Sequence, residues 1–240
     1  MQNDLDNRII KEHGLEGKNL LPNTILALQV ELGECANEWR GFKHWSNRQT
    51  PKMYPQEICS YCGEDVSYTR PSPFMAYSDG DMCEDCWTDT QKEYAASNDE
   101  HIGDFKDYPH FPDKRPEKLL EEYVDCLHFF LSIANQKGWL DQLYIPDGAI
   151  EETRDDGLDG GIGGALLEVM YWLLKSYMEK APDEKLESKI SKTKQEFCFS
   201  NAWYVFVAIG LVGFGFTLEQ IEAAYMDKNK INHESQANGY

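Results

Sequence analysis

The sequence predicts an all-α fold: a helical bundle interrupted by one small, irregular insertion. Two observations carry that expectation. Apolar residues recur at helical spacing on both sides of residues 47–116, whereas inside that stretch the periodicity fades and seven prolines and four cysteines collect. Strand-like alternation is scarce outside the same stretch. The expected organisation is residues 1–46 as the first part of the helical core, 47–116 as an inserted module and 117–240 as the remainder. A chain of 240 residues, 41% apolar and 27% charged, has room for such a core.

Residues 20–46 read as the first helix. Pro22 suits a first turn, and Ile25, Leu28, Leu32, Cys35 and Trp39 recur with helical period. A second helix runs from Glu117 to about Gln136, with Gly138 as its stop. It is apolar around most of its circumference from Val124 onward and should be largely buried. The stretch DGAIEETRDDGLDGGIGG reads as a long polar loop. GALLEVMYWLLKSYMEK then reads as a third helix, ended before Pro182, and Lys185 to Gly210 as a fourth. Thr217 and Gln220 form a capping-box pattern ahead of IEAAYMDKNKI.

A net charge of −19 argues against nonspecific wrapping of nucleic acid or of an anionic membrane. It leaves room for a small anionic substrate if bound metal reverses the sign locally. MQNDLDNRII lacks a basic segment followed by an apolar run, and the longest apolar run, Tyr204 to Phe216, falls short of the ~20 residues that span a bilayer. Seven cysteines, an odd number, do not suggest a fully disulfide-paired secreted chain. A cytoplasmic setting without a membrane partner is expected.

Glu31, Glu34 and Glu38 fall within about 60° of one another on the first helix. Alone, that pattern fits a solvated flank as well as a site. Glu122 and Asp125 shift the balance, because carboxylates interrupting a largely apolar helix need basic partners or metal. Two helices each offering acids three residues apart form an oxygen cage suited to Mg²⁺ or Mn²⁺. Such ions can clamp a pyrophosphate and activate a water for in-line attack. Glu31, Glu34, Glu122 and Asp125 are the expected ligands; Glu38 shares the face, but the ExxE spacing does not require it.

Within the insertion, Cys59-x₂-Cys62 and Cys83-x₂-Cys86 have the spacing of paired zinc knuckles. Four thiolates satisfy tetrahedral Zn²⁺ and leave no open position, so this zinc is expected to be structural. The module is poor in positive charge, which disfavours nucleic acid as its partner and fits a dimer contact or lid.

The block ELGECANEWRGFKHWS followed by LLEEYVDCLHFFLSI resembles the dimeric all-α dUTPases of bacteriophages and bacteria, members of the MazG-like all-α NTP pyrophosphatases. The shared pattern is ExxE on one helix and ExxD on the next, here Glu31/Glu34 and Glu122/Asp125, within a context that includes Asn37, Arg40, Phe42, Lys43 and Trp45. The likeness covers residues 20–46 and 117–240; in the family a short loop separates the two acid motifs, so the insertion is a departure. The resemblance implies hydrolysis of dUTP to dUMP and pyrophosphate, a Mg²⁺ requirement and a homodimer. It also implies that the four acids hold the metals and that a glutamate of the first helix, here Glu34, orients or deprotonates the attacking water.

KNKINHESQANGY resembles the family's phosphate-approaching terminal segment, with Lys228, Asn232, Gln236 and Tyr240 matching. Ser235 stands at the family's arginine position and cannot replace a guanidinium, so the tail is either a phosphate binder or a surface end. Asn201 resembles a nucleoside-reading asparagine, with a buried structural amide as the other reading. Arg40 and Lys43 are further phosphate candidates, Lys43 being equally a plain surface lysine. Trp45 suits either base stacking or the core. A pyrophosphatase for dCTP or another nucleotide would share the acid cage. A noncatalytic zinc-ribbon interaction protein is the alternative of another class and predicts no metal-dependent turnover.

Overall fold

The structure is a computed structural model that describes residues 1–47, 49, 51, 57–66, 69–74, 80–107 and 118–237. Among them are nine α-helices: α1 (Gln2–Glu12), α2 (Leu21–Trp39), α3 (Glu84–Asn98), α4 (Lys118–Lys137), α5 (Ala149–Asp156), α6 (Gly161–Met178), α7 (Glu184–Ile190), α8 (Lys194–Ala208) and α9 (Leu218–Ala237). Four two-residue strands occur, all between residues 57 and 82. The chain divides into two compact units, Met1–Pro51 with Leu119–Tyr240, and Lys52–Lys118.

Among the described residues the first unit is built of helices, and α4 is buried around most of its circumference. Its buried side chains point in nearly every direction: Leu120, Tyr123, Val124, Cys126, Phe130 and Ile133 join a core shared with α2, α6 and α8. Phe130 and Tyr123 both stack on Phe206 of α8, at 4.7 and 4.4 Å between ring centroids. Gln136 donates to Thr24 of α2 at 2.8 Å. His128 stacks on Tyr225 of α9, and Ser132 accepts from Gln2 of α1. Gly138, at φ 68°, terminates α4 in the left-handed conformation that glycine adopts without strain.

Several boundaries differ from the sequence reading. α2 ends at Trp39 rather than near residue 46, because Arg40 caps it in the left-handed region (φ 65°) and Arg40 to Ser46 forms successive turns. The expected loop after α4 contains α5 and the start of α6. The expected fourth helix is two, α7 and α8, separated by Ser191 at φ 54° and by a new capping box at Thr193 and Glu196. The Thr217–Gln220 capping box opens α9, with reciprocal bonds of 2.9 and 3.2 Å.

Beyond α8 the chain widens into a π turn, Ile209–Gly213, with Phe214 N–H donating to Ile209 O at 2.8 Å. The segment Lys194–Gly213 is long and apolar enough to cross a membrane by length and composition alone, with a mean hydropathy of 1.4. Within it Cys198, Phe199, Ala202, Phe206, Ala208 and Ile209 are buried inside the protein, and 39% of the apolar window is buried in all. Gly210 is where the π turn meets Tyr123: a Cβ there would lie 2.4 Å from the Tyr123 hydroxyl. That tyrosine is fully packed between Phe206, Phe214 and Phe216 and donates to Phe206 O. Gly210→Ala should therefore cost about 1–3 kcal/mol of stability, read as a lower urea midpoint with an unchanged slope.

The second unit is small. Antiparallel pairs Glu57–Ile58 with Asp65–Val66, and Arg70–Pro71 with Asp81–Met82, precede α3. Phe74, Met82, Trp87 and Phe105 form a core of its own, a feature absent from the sequence reading, as is α3 itself. Trp87 packs edge-on against Phe74 and Phe105, each at 5.5 Å.

Candidate active site and zinc centre

α2 and α4 bring three of the four expected acids together. One carboxylate oxygen from each of Glu31, Glu122 and Asp125 lies within 4.8 Å of the others. Glu122 is buried, and Glu31 and Asp125 are half-buried. Glu34 stands outside this trio, exposed one turn along α2, yet close enough for its charge to act on Glu31. Glu38 is half-buried and also outside it.

The crowding has an electrostatic consequence. Burial, then Asp125, Glu34 and Glu122, push the Glu31 pKa up to about 7 against the pull of Lys228. Burial also raises Asp125, opposed by Lys228. Lys228 of α9 donates to Asp125 at 2.8 Å and to Glu121 at 3.1 Å. Burial works against its ammonium, but these two carboxylates outweigh it and raise its pKa. Three converging oxygens, strained by their own charge, fit a hard divalent cation, which takes carboxylate oxygens and retains sites for water and phosphate.

A cavity of about 490 Å³ opens beside the trio. Glu31, Asp125, His128, Lys228, Asn232 and Ser235 are among its lining residues. Its floor is a polar network that sequence reasoning missed. His128 Nδ1–H donates to Gln2 Oε1 at 2.6 Å, Gln2 Nε2 donates to Asp6 and Ser132, and Ser132 donates to Asp6. Burial first, then Lys228, pushes the His128 pKa down to about 4, so the ring is neutral. Its Nε2 is buried without a partner among the described residues. The only sequence signal was His128 one turn beyond Asp125; Gln2 and Asp6 lie on α1, far away along the chain.

The other expected site residues are placed as follows. Asn37 is exposed and accepts a hydrogen bond from Lys43; Arg40 is the α2 cap. Trp45 is 68% exposed, which removes the core reading, and meets Phe42 and His44 edge-on. Asn201 is half-buried and donates to Phe197 O at 2.7 Å, a bond within its own helix. Lys228, Asn232 and Ser235 share the cavity. The Gln236 side chain and Tyr240 lie outside the described residues.

In the second unit, Cys59, Cys62, Cys83 and Cys86 offer sulfurs all within 4.8 Å of one another. The Cys62–Cys83 separation of 3.9 Å is close to the ~3.8 Å edge of a tetrahedron with zinc–sulfur bonds of about 2.3 Å. The Cys83 N–H donates to Cys59 Sγ at 3.3 Å. Burial opposes the Cys59 thiolate, but backbone N–H groups of Cys62, Cys83 and Tyr61 outweigh it and bring its pKa down to about 6. Burial first, then the Cys59 and Cys62 sulfurs, push Cys83 and Cys86 up, against the pull of Cys86 on Cys83. One stabilised thiolate beside thiols that need a cation to ionise is the donor set of structural zinc.

No curated protein and no solved structure matches this chain. A family model described as dUTPase matches residues 1–58 and 98–240, and the unmatched segment between them holds all four clustered cysteines. The match takes in every residue of the acid cluster and most of the chain: the protein belongs to the dUTPase family, all-α nucleoside triphosphate pyrophosphatases that hydrolyse dUTP.

Proposed function

We propose that this dUTPase-family protein cleaves dUTP to dUMP and pyrophosphate in a Mg²⁺-dependent reaction at the α2–α4 acid cluster. The observation that carries the proposal is the convergence of Glu31, Glu122 and Asp125 to within 4.8 Å at the edge of a cavity of about 490 Å³, a volume in the range of small-molecule sites. Those three residues would hold the ion. When bound, it would supply positive charge to the phosphates and acidify water.

The chain's own groups divide the remaining work. Glu34, exposed beside the trio, is suited to orient and deprotonate the attacking water. Lys228, 2.8 Å from Asp125, offers an ammonium to the phosphates, and Asn232 lines the same cavity. Arg40 and Lys43, at the end of α2, are further phosphate contacts, and Trp45 presents an exposed ring to a base. Asn201 would have to release Phe197 O to read a base.

The substrate class is tested by pyrophosphate release from dUTP, dCTP, dTTP and UTP. Preference for dUTP is the expected result; preference for dCTP would transfer the reading to that nucleotide, and turnover of none would favour a zinc-ribbon interaction protein.

The working form is proposed to be a cytoplasmic homodimer. α6 exposes an apolar stripe at helical spacing, Leu167, Tyr171, Leu174 and Met178, and α2, packed against α6, exposes Leu26 and Val30. Such surface suits a second copy of the chain. Leu167→Asp with Leu174→Asp should shift the mass measured by light scattering from twice 27.6 kDa to 27.6 kDa; a wild-type protein already at the lower mass would exclude the dimer.

A further inference from the structure

Lys228 stands where a metal ion and an ammonium compete. Its Nζ is 2.8 Å from Asp125, one of the three converging acids, and 3.1 Å from Glu121, which is not among them. A divalent ion drawing on Asp125 repels an ammonium at that distance, and the two share one carboxylate. Glu121, one turn before Asp125 on α4, can keep the ammonium at the rim once Asp125 is taken. α9, the helix that carries Lys228, is held nearby by Tyr225, stacked on His128 of α4 at 4.4 Å, and by His233 O, which accepts from Arg8 of α1 at 3.2 Å.

We infer that Lys228 is a built-in counter-cation: in the metal-free protein it holds α9 against the acid cluster, and metal loading expels it from Asp125 onto Glu121 and the substrate phosphates. Metal occupancy and the seating of α9 are then coupled. Lys228 also acts with opposite sign on two ligands, opposing bare metal and favouring nucleotide. Linkage makes the coupling reciprocal, so whatever removes Lys228 from Asp125 strengthens metal binding.

The inference rests on the acid cluster being the metal site, and the test separates the two. Mn²⁺ binding without nucleotide is measured by electron paramagnetic resonance for wild type, Lys228→Met, Lys228→Arg and Glu31→Gln. Affinity for a non-hydrolysable imido analogue of dUTP is measured in saturating Mn²⁺. Lys228→Met should bind Mn²⁺ about tenfold tighter than wild type and the analogue more weakly, while Lys228→Arg stays near wild type on Mn²⁺. A merely structural lysine would weaken both ligands together. In wild type, Mn²⁺ should also accelerate amide exchange in residues 222–234, a readout that needs no variant. Mn²⁺ affinity unchanged or lower in a folded Lys228→Met, or α9 exchange indifferent to Mn²⁺, would overturn the inference and leave the metal site standing. No Mn²⁺ binding by wild type, or binding that persists in Glu31→Gln, would remove the metal site and the inference with it.

Discussion

Replacing Glu31 by Gln should lower dUTP turnover by about a thousandfold while holding or raising the stability of the metal-free protein. Loss of a group that only orients a metal ligand already costs about 10–100-fold, so loss of a ligand itself should cost more. The stability effect has the opposite sign for an electrostatic reason. Burial and three neighbouring carboxylates raise the Glu31 pKa to about 7. A carboxyl whose folded pKa lies above its unfolded value destabilises the fold once pH exceeds that unfolded value, and does so most fully above about 7. Glutamine keeps the shape and removes the charge. At pH 8 the variant should melt no lower than wild type without Mg²⁺, and should lose the stabilisation that Mg²⁺ gives wild type. Asp125→Asn should lose activity to a similar extent, with less gain in stability, because Lys228 then keeps only its Glu121 partner at 3.1 Å. Retained activity in both variants would put the chemistry elsewhere.

Removing zinc should unfold the second unit. Among the described residues its core is four buried side chains, Phe74, Met82, Trp87 and Phe105, and its strands are two residues long; small modules of this kind usually rely on a staple. Structural zinc contributes roughly 10–16 kcal/mol of apparent binding free energy in small modules. The purified protein should carry one zinc per chain, and Cys59→Ser with Cys83→Ser should abolish it. Hydrogen exchange in that variant should lose protection across residues 80–107, while α4 and α8 remain protected by their own core. Full protection of residues 80–107 without zinc would show that the small aromatic core suffices.

Legibility followed the strength of local signals. α4 could be read because an apolar helix, a stop glycine and two interrupting acids coincide within twenty residues. The zinc centre could be read because its ligands come in two close pairs, and metal geometry restricts what such spacing does. The end of α2 could not: Trp39, Phe42 and Trp45 keep an apolar rhythm that continues a helix on paper, while Arg40 enters the left-handed region and turns the chain. α5 was hidden by flanking glycines that serve as its caps, Gly148 and Gly157. The π turn depends on the ring of Tyr123, more than eighty residues away, resting against Gly210. The network of Gln2, Asp6, His128 and Ser132 joins residues about 126 to 130 positions apart, and no periodicity on one segment announces it.

The four acids themselves divide in a way their spacing concealed. ExxE and ExxD present two matched pairs, yet Glu31, Glu122 and Asp125 converge while Glu34 remains exposed. That asymmetry comes from how α2 and α4 bring the acids together and is not given by either sequence motif.

The central claim is metal-dependent cleavage of dUTP, and its most direct measurement is pyrophosphate release from dUTP by the wild-type protein across a Mg²⁺ titration. The buffer should be freed of divalent ions by resin rather than by added chelator, so that the cysteine-bound zinc is retained. The account predicts negligible release without Mg²⁺, saturable release with it, and dUMP as the second product. Release that proceeds equally without divalent ions, or no release at any Mg²⁺ concentration, would contradict it.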